Sequence, residues 1–379
     1  MATLFPQGYA DGPAFCNRTS QRAELITLIK NSRHGWIQGR RRIGKSSLLR
    51  QTILDIEKHH SKSIYAVHTE LLSAYDRNVA VRLILQAIAE VTERVLAYSE
   101  KALKNILGTF SALKPELVIT AAGPKLKLSV DKEQSSVKDA LLALDQVASE
   151  KKVKIALFFD EFQQLGEIDH GVSVEAEIRG ALQLTTSTSF IFSGSIRHLL
   201  EQQFADDSRP LYKQCQRIDI RRITRKDYIT HLTKVAKLHW GVTIQKTVIE
   251  EIVQQTDRHP YYVNALCGLL WLRDAPPTKE EVIATWHKDI VSSDYSAYQR
   301  TLSKLSTNQN IVLSNLALNP TSQPLSSDFA QKCGISTSSI KQSVEKLISH
   351  DHVYRDGDGC LRLFDPAVAA YLRMSLQAY

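Results

Sequence analysis

The sequence predicts an α/β fold built on a parallel sheet, continued by a helical segment and a C-terminal winged helix-turn-helix. Three observations carry that expectation. Val153-Lys154-Ile155-Ala156-Leu157-Phe158-Phe159 and Ser189-Phe190-Ile191-Phe192-Ser193-Gly194 are almost continuous apolar runs, the pattern of strands covered on both faces. Segments of helical period alternate with them, as in βαβ units. Residues 301–379 then change character, with three short helical stretches closing on a Gly-rich turn between two strand-like segments.

Composition narrows the class further. The chain has 379 residues, 43% hydrophobic and 23% charged, enough for a sizeable core in two to three domains. A disordered tail, a collagen-like fibre and a disulfide miniprotein are excluded. No apolar run approaches the ~18 residues of a membrane-spanning helix, and Met1-Ala2-Thr3-Leu4-Phe5-Pro6 lacks the features of a secretory signal. Cys16, Cys215, Cys267, Cys333 and Cys360 stand singly with no metal spacing, which suits thiols in a reducing compartment. The expectation is a cytoplasmic protein with no membrane partner. Net charge is +8, but residues 301–379 hold seven Lys/Arg against six Asp/Glu, so the excess lies upstream, partly in Arg40-Arg41-Arg42 and Arg221-Arg222.

Taken in order, the spacing from Arg22 to Lys30 predicts a helix that ends before Asn31-Ser32-Arg33-His34-Gly35. A short strand, Gly35-Trp36-Ile37-Gln38, leads through a Gly/Arg loop into a helix at Ser46-Ser47-Leu48-Leu49-Arg50-Gln51. Ser63 to Val67 reads as a second strand, and Val79 to about Ile106 as one helix. Glu116 to Asp131 alternates around Gly123-Pro124 and predicts a β-hairpin insertion near 115–132. Ser136 to Ser149 and Val174 to Leu184 read as helices on either side of the strand ending at Phe159. Beyond Ile223 the pattern is helical to about Arg300. In the last segment, helices are expected at Ile311–Leu318, Ser327–Cys333 and Thr337–His350. Val353-Tyr354-Arg355 and Cys360-Leu361-Arg362-Leu363-Phe364 should form the wing. The expected divisions are a core over 1–222, a helical segment over 223–300 and the winged helix over 301–379.

Gly39-Arg40-Arg41-Arg42-Ile43-Gly44-Lys45-Ser46 fits G-x-x-x-x-G-K-[ST] between a strand and a helix. Glycines at the bracketing positions let backbone N–H groups face phosphate oxygens, and the helix that follows adds the positive end of its dipole. Lys45 is placed to bridge β- and γ-phosphates and Ser46 to ligate Mg²⁺. The apolar strand ends in Asp160-Glu161, where Asp160 would hold Mg²⁺ and Glu161 would polarise the attacking water. At the end of the next strand, Ser193 is the first candidate for γ-phosphate or water contact and Ser195 the second. Arg197, Arg209 and Arg217 are candidates for positive charge on the transition state, with Arg209 taken into the catalytic set. No Asn-Lys-x-Asp stretch of the kind that reads guanine is present, which points to ATP.

In this order the motifs resemble the AAA-type P-loop ATPases of the archaeal ATPase family, related to the STAND signalling NTPases and more distantly to the origin-recognition ATPases. The resemblance rests on Phe15-x-x-Arg18, the loop Gly39 to Ser46 with Ser47-Leu48, Phe159-Asp160-Glu161-Phe162-Gln163, Ser193-Gly194-Ser195, Pro210-Leu211-Tyr212, and His259-Pro260-Tyr261-Tyr262. It implies a sheet in 5-1-4-3-2 order and a helical lid over 223–300 that caps the nucleotide. His259 and Pro260 then join Gly39, Arg40, Arg41, Arg42, Ile43, Gly44, Lys45, Ser46 and Ser47 in contacting ATP. It leaves open whether a neighbouring copy completes the site in an oligomer.

The implied activity is Mg²⁺-dependent conversion of ATP to ADP and phosphate, with the nucleotide state relayed to the winged helix. On the expected recognition helix, Ser338, Ser339, Lys341, Gln342, Glu345 and Lys346 face outward, and two lysines beside a glutamate are thin for phosphate neutralisation. A protein partner is therefore the expected reading of this domain, and nucleotide-regulated DNA binding the alternative.

Overall fold

A computed structural model of the chain describes residues 4–121, 123–129 and 136–377. The chain forms two compact units, Tyr9–Arg221, and Met1–Gly8 together with Arg222–Tyr379.

The first unit is organised by its most apolar segments. β1 (Gly35–Gln38), β2 (Ile64–Glu70), β5 (Lys154–Asp160), β6 (Thr188–Ser193) and β7 (Gln216–Asp219) form one parallel sheet in the order β2-β5-β6-β1-β7. Counted along the chain as five sheet strands, this is the 5-1-4-3-2 order that the resemblance implies. β6 is buried throughout and β5 from its second residue on, which explains why both read as unbroken apolar runs. Helices Thr19–Lys30, Lys45–His59, Arg77–Val95 and Val137–Glu150 pack on the sheet. Phe159, Phe162, Phe192, Phe204 and Trp36 form a continuous ring cluster at its carboxyl end, with Phe162 and Phe192 centroids 4.5 Å apart. That cluster is the rigid floor beneath Asp160 and Glu161.

One local expectation is corrected, one is borne out, and one strand went unread. The single helix expected over Val79–Ile106 is two, Arg77–Val95 and Glu100–Ile106. Ala97 and Tyr98 turn left-handed, and the Ser99 side chain accepts from the Ala102 N–H to start the second helix. The hairpin is present as β3 (Glu116–Thr120) and β4 (Gly123–Lys127), with Gly123-Pro124 opening its second strand. Residues 130–132 of that expectation lie outside the described residues. β7 went unread because Gln216-Arg217-Ile218-Asp219 is an edge strand with a single buried residue.

The second unit carries helices Arg225–Trp240, Lys246–Gln255, Pro260–Leu270, Lys279–Thr285 and Tyr295–Ser303. The winged helix follows, with helices Thr307–Leu318, Ser327–Cys333 and Thr337–Ser349 and the antiparallel pair β8 (Val353–Arg355) and β9 (Leu361–Leu363). A further helix, Pro366–Gln377, packs back on Thr307–Leu318. Arg222, 6% exposed, pairs with Asp257 at 2.6 Å, and its guanidinium lies 4.6 Å from the Tyr354 ring centroid. Among the described residues no helix is long and apolar enough to cross a membrane.

Candidate active site

Parallel register brings the carboxyl ends of β1, β2, β5 and β6 to one edge, the position where open α/β sheets bind ligands. From β1 the chain enters the loop Gly39–Gly44. Gly39 must be small, because a Cβ there would lie 3.3 Å from the Ile220 backbone oxygen. Arg42 (φ 59°) and Gly44 (φ 94°) are left-handed, which folds the loop over the start of the Lys45–His59 helix. The first intrahelical bond is donated by Leu48 to the Gly44 carbonyl, so the N–H groups of Lys45, Ser46 and Ser47 head the helix without helical acceptors. Lys45 is 6% exposed and donates to the carbonyls of Gly39 at 2.9 Å and Arg40 at 2.8 Å. Its charge therefore sits within the loop. Arg18 buttresses the loop from behind, donating to the Ile43 carbonyl and to the Arg221 carbonyl, each at 2.8 Å.

Asp160 is the most constrained acid of this edge. It is 2% exposed, receives the Ser193 hydroxyl, and has His68 Nε2 3.5 Å from Oδ2. Burial pushes its pKa up, but the neighbouring His68 ring and the Ser193 and Ser46 hydroxyls outweigh that and hold it at about 2. The carboxylate is ionised, and it also accepts the Glu161 N–H at 3.0 Å. Glu161 is half-buried with φ 53°, a left-handed conformation that turns its side chain off the line of the strand. One oxygen, Oε2, accepts from Gln163 Nε2 at 2.6 Å, the Ser195 hydroxyl at 2.7 Å and the Ser195 N–H at 3.3 Å.

Basic loop, helix N-terminus, lysine and two carboxylates on adjoining strand ends form a site for a phosphate chain and a hard cation. Residues 15–266 match the family described as an ATPase domain predominantly from Archaea. The chain belongs to that family. Residues 296–374 match a probable winged helix domain. Among solved structures, the Walker-type ATPase of Pyrococcus abyssi has a similar fold, with TM-score 0.67, 17% identity, and coverage of 98% of this chain and 99% of that one. The Aeropyrum pernix ORC2 protein, solved as ADPNP-ADP complexes, gives TM-score 0.59 at 15% identity, covering 100% and 99%. The Aeropyrum pernix ORC1 protein, solved in complex with DNA, gives 0.50 at 11% identity, covering 96% and 94%. At these identities the likeness is one of fold. No curated protein matches the sequence.

The fold places Gly39, Gly44, Lys45 and Ser46 in the loop and helix head after β1, and Asp160 and Glu161 at the end of β5. Ile43 is 2% exposed and serves the loop through its carbonyl, while Arg41 and Arg42 are exposed. Ser47 accepts the Ala10 N–H at 3.0 Å, so its hydroxyl holds the opening segment. Ser193 is fully buried and bonded to Asp160, whereas Ser195 is half-buried and bonded to Glu161. Arg209 pairs with the buried carboxylate of Glu175, which also accepts from Gln203 at 2.7 Å, so its guanidinium is committed inside its own unit. Arg197 lies 3.7 Å from Glu201, and Arg217 pairs with Asp219 at 2.8 Å. His259 is 2% exposed, edge-on to the Tyr262 and Phe364 rings, and Pro260 opens the Pro260–Leu270 helix.

Sequence reading missed His68, Gln163 as a donor, and Tyr9. Burial, Glu70 and Asp160 raise the Tyr9 pKa, and its ring centroid lies 4.9 Å from the Arg50 guanidinium. His68 had one available signal: a polar residue near the carboxyl end of a strand beside the one that ends in Asp-Glu.

Proposed function

We propose that the chain is a cytoplasmic, Mg²⁺-dependent ATPase that works as a conformational switch. The observation that carries the reading is the placement of Lys45, held inside the Gly39–Gly44 loop by the Gly39 and Arg40 carbonyls, at the same sheet edge as the strand that ends in Asp160. The N–H groups that head the Lys45–His59 helix, together with Lys45, bind the triphosphate. Ser46 and Asp160 fit as oxygen donors to magnesium, which would offset phosphate charge when bound. Among the described residues no cluster of three or more His, Cys, Asp or Glu is placed to hold a metal, but a magnesium ion held by a hydroxyl, a carboxylate and phosphates needs none. Glu161 orients the water that attacks the γ-phosphorus as the bridging P–O bond breaks, and ADP leaves. Ser193 keeps Asp160 ionised, and Ser195 and Gln163 set the direction of Glu161. ADPNP and ADP in the similarly folded ORC2 protein support the choice of nucleotide.

The test compares Lys45→Ala with Glu161→Gln in ATP-binding calorimetry and steady-state hydrolysis. Lys45→Ala should lose binding, while Glu161→Gln should bind and fail to turn over. Equal loss of binding in both would sink the assigned roles.

A second reading is nucleotide-regulated DNA binding. It is favoured by the winged helix, by exposed Lys341 and Lys346 on Thr337–Ser349, and by the DNA complex of the similarly folded ORC1 protein. Charge reversal at both lysines should then abolish salt-dependent duplex binding. Hydrolysis indifferent to duplex DNA would favour a protein partner instead.

A further inference from the structure

The second unit carries an open pocket of about 430 Å³, within the ~300–1,000 Å³ range of small-molecule sites. Its walls have two characters. Val253, Leu316, Pro320, Leu363 and Pro366 supply an apolar side. Arg225, Arg258, Arg362 and Arg373 supply guanidinium groups from four separate segments.

The charges do not balance. Arg225 pairs with Glu250 at 3.1 Å and Arg362 with Asp356 at 2.6 Å. Asp257 is engaged by Arg222 at 2.6 Å and by the Tyr354 hydroxyl at 3.0 Å, leaving Arg258 a loose 3.8 Å approach to it. Arg373 makes no ion pair among the described residues; its Nη1 donates to the Ala317 carbonyl at 3.1 Å. Asp257, already engaged by Arg222, is the carboxylate that attracts Arg373 from a distance; a partly buried cation so weakly compensated favours an added anion, and the cavity lies against it. Burial indeed lowers the Arg373 pKa. Asp257 and Arg258 are consecutive left-handed residues, a strained pair at the rim.

We propose that this cavity is a second ligand site, separate from the phosphate loop, that takes a nucleoside monophosphate. The phosphate would lie on Arg373 and Arg258 and the ring system against Val253, Leu316 and Pro320. A bidentate guanidinium grip suits a phosphate, and the apolar wall excludes a bare inorganic ion as the best occupant.

The experiment titrates AMP, with uncharged adenosine as control, into full-length Lys45→Ala, and maps the site by photolabelling with 8-azido-AMP. Saturable AMP binding, no saturation by adenosine, and label in the peptides that carry Val253 or Leu316 and Pro320 are expected. On that background Arg373→Met, which keeps the aliphatic volume, should weaken AMP at least about tenfold. Arg225→Gln, at a 61% exposed side chain, should weaken it less and guards against a folding defect in the first variant. Absence of saturable AMP binding, label confined to residues 39–47, or affinity indifferent to both substitutions would overturn the proposal. Protection of those peptides by duplex DNA and not by AMP would overturn it in favour of nucleic acid.

Discussion

The Ser193 hydroxyl donates to Asp160, joining the ends of two adjacent buried strands. Removing it in Ser193→Ala should raise the Asp160 pKa toward the ordinary carboxylate value of 3.8. Magnesium-supported nucleotide affinity should fall about 10- to 100-fold, while affinity for ATP in EDTA should change little. Calorimetry with and without metal separates the two. Because the folded pKa is depressed, the stability Asp160 contributes is present above pH ~4 and lost as pH falls toward 2. The variant should lose it at higher pH, read in acid-unfolding curves.

Gly194 sits where a Cβ would come 2.0 Å from Gln163 Oε1. Gly194→Ala should therefore displace the Gln163 amide from Glu161. Turnover is expected to fall with little change in KM for ATP. Gly194→Ala/Gln163→Ala should be no worse than Gln163→Ala, because both remove the same hydrogen bond. Additive losses would refute the link.

Arg18 ties Ile43 to Arg221, residues 178 positions apart, through two charge-assisted bonds at 2.8 Å. Arg18→Ala should destabilise the first unit by about 3 kcal/mol and weaken ATP binding. Scanning calorimetry should show its melting transition lowered, with part of the loss restored by saturating ADP.

Arg209→Ala leaves the fully buried Glu175 without its counter-ion, and a loss of about 3–5 kcal/mol is expected. Burial already raises the Glu175 pKa against the opposing pull of Arg209 and Gln203. A raised folded pKa gives stability that is present at low pH and lost as pH rises through it. The deficit of the variant should therefore shrink as pH is lowered toward the ordinary carboxylate range, measured by urea melts at each pH. A deficit that is flat with pH would place the damage in packing.

Local patterns made much of the site legible. The Gly39–Ser46 spacing, the apolar strand ending in Asp160-Glu161 and the serines after the next strand are each contiguous signals, so their chemistry could be assigned before folding was considered. The break at Ala97-Tyr98 was not legible, since neither residue is a helix breaker and only the tertiary course selects left-handed backbone there. The edge strand β7 was missed for a different reason: one buried side chain in four leaves no alternation to read.

The sequence by itself determined the order of elements, the phosphate loop, the acidic pair and the winged helix, because helical period, strand burial and turn chemistry act over a few residues. Tertiary structure decided which partner each group serves. Ser193 reaches Asp160 across 33 positions and Ser195 reaches Glu161 across 34, and only the parallel register of β5 and β6 brings them together. The same holds for Arg18 on the loop and Arg209 on Glu175. Buried charges and polar groups take whatever partners folding brings within hydrogen-bond reach, and no local pattern encodes that distance.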